Sequence, residues 1–269
     1  MLVSIIVPAY KQEKTIKEDI RNIYNVMAQT RWDFEIIVVV DGFVDKTLEE
    51  AQKVDLDVVT VAGYKTNRGK GYALRYGMAR AVGDYVAFID SGMEIDPNGI
   101  SMILEHMQWY KADIIVASKR HPASKVNMPL IRKIYSWGYH TLVKILFRFK
   151  VSDTQTGLKV FKKDVLDKIL PRLLIKEYAL DVELLAVARY LGFKRIYEAP
   201  VELHFDLSSG SRFKGFLIFD PFIRKILTDT LAIFYRMYFL RYYSDNSQRK
   251  WIYDPELEMQ VNTGELNNG

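Results

Sequence analysis

The 269-residue chain contains no cysteine. That absence excludes a disulfide scaffold, thiolate catalysis and thiolate-ligated zinc or iron–sulfur centres, and it fits a reducing compartment. No segment approaches the roughly 18 uninterrupted apolar residues that a membrane-spanning helix needs. Fifteen glycines and eight prolines are too few for a fibrous or low-complexity protein. Histidine is sparse, at four residues. His106 and His140 fall in helical patterns and read as packed or surface residues. His121 precedes a proline in a cationic loop, open either to a phosphate contact or to a turn role, and His204 ends an apolar run with no assignable role. Acidic residues are missing altogether between Asp113 and Asp153, a span that holds eight Lys or Arg.

What is present describes a folded α/β protein. Apolar residues make up 49% and charged ones 26%, enough to bury a sizeable core. The net charge of +5 is a mild excess whose placement matters more than its size. The opening MLVSIIVPAY lacks a basic leader and runs straight into a proline. It reads as a first buried strand and not a signal peptide, so a cytoplasmic location is expected. Apolar runs at 3–7, 35–40, 57–61, 85–89 and 113–117 alternate with helical spacing over 15–29, 46–53, 70–82 and 98–111. Near-continuous apolar strands separated by helices predict a mostly parallel sheet covered on both faces. Ligands of such sheets gather beyond the carboxyl ends of the strands.

Three carboxylates, Asp41, Asp90 and Glu94, follow apolar runs at that edge. Clustered carboxylates repel and need a cation, and oxygen donors suit Mg²⁺ or Mn²⁺; the alternative is that each caps a turn or helix. The segment NRGKGYALRYGM places Asn67, Gly69, Lys70 and Gly71 at a helix start, where glycines permit close backbone approach and a lysine favours phosphate. It is neither a P-loop nor a dinucleotide fingerprint. Two basic aromatic stretches follow, PLIRKIYSWGYHTLVKILFRFK and the run from Ser211 to Tyr243, and the last sixteen residues hold four acids and no cation.

Taken in order, VSIIVPAYKQEKTI, VVVDGFVDKT, NRGKGYALRYGM and VAFIDSGMEIDP resemble the nucleotide-sugar half of a family 2 glycosyltransferase with a GT-A fold. The continuation, VSDTQTGLKVFKKDVL and YALDVELLAVARYLGFKRIYEAPVEL, is similar to the polyprenyl-phosphate hexose synthases, which make dolichyl- or undecaprenyl-phosphate mannose and glucose. The resemblance covers residues 2–205. It implies a Rossmann-like GT-A catalytic domain over 1–205, and after it are expected a basic, aromatic, amphipathic helical extension over 206–253 and a flexible acidic tail over 254–269. Pro8, Tyr10, Glu13, Asp41, Asn67, Lys70 and Asp90 are then the expected donor-binding residues. Ser118, Lys119, Arg120, Arg132 and Gln155 are expected at the acceptor phosphate, and Asp153, Thr154, Gln155 and Gly157 close the site. Asp181 and Glu183 match a helical acidic pair that anchors that loop or lies near the acceptor.

The departures matter as much. The second acid of the family's D-x-D element is Gly92 here, so Asp90 and Glu94 are proposed as the pair holding Mg²⁺ or Mn²⁺. Phe43 and Lys11 also differ from the family pattern, at positions that bear on base and ribose recognition. The implied reaction moves a hexose, with inversion, from UDP-glucose or GDP-mannose to a polyprenyl or dolichyl monophosphate. That acceptor is already an anion and needs no general base, so alignment and charge control carry catalysis, with Asp90, Lys119, Arg132 and Asp153 as the catalytic set. The cationic aromatic stretches, including Phe213, Phe216, Leu217, Phe219, Phe222, Arg212, Lys214, Arg224 and Lys225, imply peripheral attachment at the cytoplasmic face of a membrane. Self-association is left open. The alternatives are a family 2 enzyme with a soluble or polysaccharide acceptor and Asp153 or Asp181 as base, and a nucleotide-sugar-binding protein without turnover. Nucleic-acid binding is disfavoured because the cations lie among long apolar side chains.

Overall fold

The computed structural model describes residues 1–126, 130–203, 221–244 and 249–266. His204 and the cationic aromatic residues of 211–220 lie outside the described residues, as do the side chains of Arg132 and Phe222. In chain order the first half runs β1 (Leu2–Ala9), α1 (Ile16–Met27), β2 (Asp33–Asp41), α2 (Thr47–Gln52), β3 (Val59–Tyr64), α3 (Lys70–Arg80), β4 (Tyr85–Ile89), α4 (Asn98–Trp109) and β5 (Ile114–Ala117). The second half runs β6 (Lys125–Val126), α5 (Leu130–Phe147), β7 (Leu158–Lys162), α6 (Lys163–Ile169), a 3₁₀ turn (Leu170–Arg172), α7 (Leu180–Tyr190), β8 (Ile196–Ala199), β9 (Glu202–Leu203), α8 (Pro221–Tyr238), β10 (Arg249–Asp254) and β11 (Met259–Leu266).

Seven strands form the central sheet in the order β3-β2-β1-β4-β7-β5-β8. All neighbours are parallel except β7, which runs antiparallel to both β4 and β5. Strand β3 begins at Val59, later than the apolar run from 57 suggests, because β2 pairs Ile36 with Val59. Successive strand residues enter opposite cores, as the two-residue period requires. Ile5 joins the layer made by Ile20 and Ile23 of α1 and Ile103 and Met107 of α4, while Ile6 joins that of α3, α6 and α7. The buried residues of α1, Ile16, Ile20, Ile23 and Met27, keep the three- and four-residue spacing of one helix face.

The expected C-terminal helix is present as α8 and packs on the domain: it buries Ile226, Thr230, Ile233 and Met237, and Thr230 Oγ1 lies 2.8 Å from the Tyr139 hydroxyl of α5. The expected flexible acidic tail is instead ordered as far as Leu266, where β10 and β11 pair as an antiparallel hairpin. The reason is apolar anchoring that charge counting overlooks. Leu257 is 1% exposed and Val261 9%, and the Tyr242 hydroxyl donates to the Asn262 carbonyl at 2.7 Å. Among the described residues no helix is long and apolar enough to cross a membrane.

Helix α3 lies close on the sheet through Gly77, where an added Cβ would stand 2.4 Å from Ile6 Cγ2 and 2.9 Å from Val39 Cγ2. Gly77→Ala should therefore destabilise the protein by about 1–3 kcal/mol by overpacking, against the gain in helix propensity. Denaturant unfolding measures this, and an unchanged midpoint would show that the helix shifts freely.

Candidate active site

A cleft of about 850 Å³ opens beyond the carboxyl ends of β1, β2 and β4. Its lining includes Pro8, Tyr10, Asp41, Asn67, Lys70, Asp90, Glu94, Lys119 and Gln155. Sequence reasoning had placed all nine in the site. Three expected donor or acceptor residues, Glu13, Arg120 and Ser118, do not line the cleft. Glu13 is exposed and accepts from the Lys46 backbone N–H at 3.2 Å, and Arg120 turns its guanidinium to the Ser136 hydroxyl of α5 at 2.8 Å. Ser118 is fully buried, with its hydroxyl 3.2 Å from that of Ser152. It shapes the loop and does not line the cleft.

Asp41 ends β2, and its carboxylate is spent on the glycine-rich loop. It accepts from Asn67 Nδ2 at 2.9 Å and from the backbone N–H groups of Arg68 at 2.7 Å and Gly69 at 3.0 Å. The loop must be glycine-rich for two steric reasons. Gly69 has φ +94°, and a Cβ there would meet the Lys176 carbonyl oxygen at 2.6 Å. That carbonyl accepts from the Tyr72 N–H at 3.1 Å, so the loop preceding α7 is stitched onto the start of α3.

Asp90 ends β4. The Lys70 ammonium sits 2.6 Å from one carboxylate oxygen and 2.7 Å from the other. Burial works to lower the lysine, but the Asp90 charge, helped by Asp181, outweighs it and holds Lys70 above its ordinary value. Gly157 packs against the other side of Asp90: a Cβ there would stand 2.2 Å from Oδ2, and the Asp90 N–H donates to the Gly157 carbonyl at 3.1 Å. At the D-x-D departure, Gly92 takes φ +87° and donates its N–H to Asp19 at 2.9 Å.

The segment 153–157 is held from behind. Asp153 accepts from the backbone N–H groups of Lys119 and Gln155, each at 3.1 Å, with Lys119 Nζ 3.9 Å away. Burial acts to raise its carboxyl, but the Lys119 charge and these hydrogen bonds prevail and hold it below the usual aspartate range. It is ionised and committed at neutral pH, an anchor and not a proton acceptor. Lys159, fully buried, donates to the Thr156 carbonyl at 2.7 Å and to Asp181 at 2.6 Å. Asp181 thus anchors the loop, one of the two roles open to it. Glu183 accepts from the N–H groups of Leu174 and Ile175 and from the Tyr243 hydroxyl at 2.7 Å, setting the loop that carries Glu177 and Tyr178 into the cleft. Glu177, Tyr178, Gln12, Ser91 and Leu203 are lining residues that sequence reasoning missed. Gln12, two residues past Tyr10, and Ser91, next to Asp90, were findable; the others depend on distant packing.

Among the described residues no three or more His, Asp or Glu side chains are gathered to cage an ion. Asp90 and Glu94 nevertheless give the cleft two hard oxygen donors, and Gly92 gives none. That set suits Mg²⁺ or Mn²⁺ arriving with substrate phosphates, which needs only one or two protein carboxylates.

Because Lys159 and Asp181 are a buried ion pair, Asp181→Asn should cost about 3–5 kcal/mol by leaving the ammonium unpaired. The double change Lys159→Met with Asp181→Leu should recover most of that loss, as read by chemical denaturation. Equal loss in single and double variants would show that the pair does more than balance charge.

Comparison with known proteins places the chain in a family. The model of glycosyl transferase family 2 matches residues 4–170. A dolichyl-phosphate beta-glucosyltransferase of Trichomonas vaginalis is 31% identical over 252 residues, covering 87% of this chain and 74% of its own. One from Dictyostelium discoideum is 27% identical over 238 residues, covering 83% and 70%. Glucosyl-3-phosphoglycerate synthase from Mycobacterium tuberculosis, solved with Mn²⁺, uridine diphosphate and phosphoglyceric acid, superposes with a TM-score of 0.64 at 17% identity over 93% of this chain and 83% of that one. This likeness establishes the GT-A fold. By the family model and the relative of 31% identity, the chain belongs to glycosyltransferase family 2 and is a glycosyltransferase.

Proposed function

We propose that the protein transfers glucose from UDP-glucose to a dolichyl or related polyprenyl monophosphate, with inversion. The carrying observation is the state of the carboxylates around the cleft. Asp41 binds the glycine-rich loop, Asp90 pairs with Lys70, Asp153 is pinned beside Lys119, and Asp181 is locked to Lys159. A hydroxyl acceptor requires a base to take its proton, whereas a lipid phosphate is nucleophilic as it stands. An arrangement in which these four acids are committed while Lys119 lines the cleft suits the anionic acceptor. It also argues against a soluble hydroxyl acceptor with Asp153 or Asp181 as base. The named relatives act on dolichyl phosphate, and the solved neighbour holds uridine diphosphate, which supports UDP over GDP.

In this reading Pro8 and Tyr10 frame the base and the Asn67–Lys70 loop meets the diphosphate. A bound Mg²⁺ or Mn²⁺, held by Asp90 and Glu94, would neutralise the leaving group. Lys119 and Gln155, with Arg132, present the acceptor phosphate. The lipid chain leaves along the exposed aromatic face of α5 and α8, where Trp137, Ile145, Tyr235 and Phe239 stand in solvent. Such a face, with Arg224 and Lys225 exposed at its start, favours peripheral attachment to an anionic membrane.

Two measurements test the proposal. In a thermal-shift panel, UDP with Mn²⁺ should raise the melting temperature more than GDP with Mn²⁺, and chelation should remove most of the gain; a response to GDP alone would move the donor to GDP-mannose. Arg132→Ala should raise the apparent KM for lipid phosphate about tenfold or more, the loss of one charge-assisted contact, with the donor KM nearly unchanged. Equal weakening of both substrates would contradict the acceptor assignment.

A further inference from the structure

The turn of the C-terminal hairpin reaches the donor cleft. Glu256 forms an ion pair with Arg68, a cleft-lining residue, and accepts from the Tyr72 hydroxyl at 2.8 Å. Arg68 also donates to that hydroxyl at 2.7 Å, and its guanidinium lies 4.7 Å from the Tyr72 ring centre and 5.3 Å from that of Tyr64. The turn is itself rigid. Asp254 accepts from the N–H groups of Glu256 and Leu257 at 2.9 and 3.1 Å, and Leu257 is buried. Arg80 donates to the Glu256 carbonyl at 2.9 Å and stacks over Tyr76 at 3.6 Å.

Among the described residues three cations line the cleft: Arg68, Lys70 and Lys119. Lys70 is committed to Asp90 and Lys119 lies beside Asp153, both inside the site. Arg68 differs, because its counter-charge comes from outside the cleft, on an element 188 residues away in sequence. A guanidinium has five donors in a planar fork, so it can keep one carboxylate and still meet an anionic ligand. Its five-donor head is useful only if its direction is set, since a free arginine side chain loses about 2 kcal/mol of rotamer entropy on ordering. The hairpin supplies that direction in advance.

We propose that Glu256 is a positioning residue for the donor: through its ion pair it fixes the Arg68 guanidinium at the cleft wall, beside Asn67 and Gly69, where it receives the nucleoside diphosphate. The C-terminal hairpin is then part of the donor site. This rests on the nucleotide-sugar reading of the cleft.

The test is calorimetric titration of the full-length protein with UDP and Mn²⁺, with GDP run in parallel. Glu256→Gln should weaken nucleotide binding about fivefold, the upper range for a partly exposed ion pair, and leave the lipid KM unchanged. In an Arg68→Ala background, Glu256→Gln should cause no further loss. Glu258→Gln removes a neighbouring hairpin carboxylate that pairs with Arg80 and should leave nucleotide affinity alone, which controls for general loosening of the hairpin. The inference is overturned if Glu256→Gln binds nucleotide like the parent chain, if its effect persists in the Arg68→Ala background, or if Glu258→Gln weakens binding equally. Failure of the unaltered chain to bind either nucleotide would instead overturn the donor reading, and this one with it.

Discussion

The site depends on one antiparallel crossing. Strand β7 enters the sheet against β4, so the residues just before β7 meet the residue just after β4. Asp90 and Gly157 are thereby pressed together, with the carboxylate lying where a Cβ would otherwise be. A parallel β7 would carry the 153–157 segment to the opposite end of the sheet, out of reach of Asp90. Gln155 and the segment anchored by Asp153 follow from that reversal, while Lys119 arrives at the carboxyl end of β5.

Charge in the interior is arranged in service of that contact. Asp181 and Lys159 neutralise each other where neither could be buried alone, and the ammonium spends a second hydrogen bond on the Thr156 carbonyl. Glu183 performs a similar task for the loop before α7, using backbone donors and the Tyr243 hydroxyl. Both acids are spent on holding backbone in place, and Lys70 and Lys119 line the cleft beside Asp90 and Asp153. On the proposed reading, such a site is suited to alignment and electrostatic stabilisation more than to proton transfer.

Much of this was legible before the fold. The alternation of apolar runs and helical spacing placed β4 and β5 nearly residue for residue and the middle of β1 and β2, because strands buried on both faces have few polar interruptions. Asp41, Asp90 and Glu94 were readable because they end such runs or follow them closely. Strand β7 was harder: LKVFK carries a lysine at its second position and another at its end, and only the structure shows that Lys159 is buried against Asp181. The hairpin was misread for the opposite reason. Its four acids and missing cations resemble a solvated tail, but Leu257, Val261 and Asn262 pack inward, and its charges meet Arg68 and Arg80 far back in the chain.

The sequence by itself determined the layered α/β class, the carboxylates at the strand ends and the glycine-rich helix start, since each is a local pattern of period, turn chemistry or backbone freedom. Only the tertiary structure decided which of those groups are spent and which face the cleft. Ion pairs such as Lys70–Asp90, Lys159–Asp181 and Arg68–Glu256 join residues 20, 22 and 188 positions apart. No local pattern encodes such a pairing: whether a charge is committed depends on which distant strand, loop or hairpin the fold brings beside it.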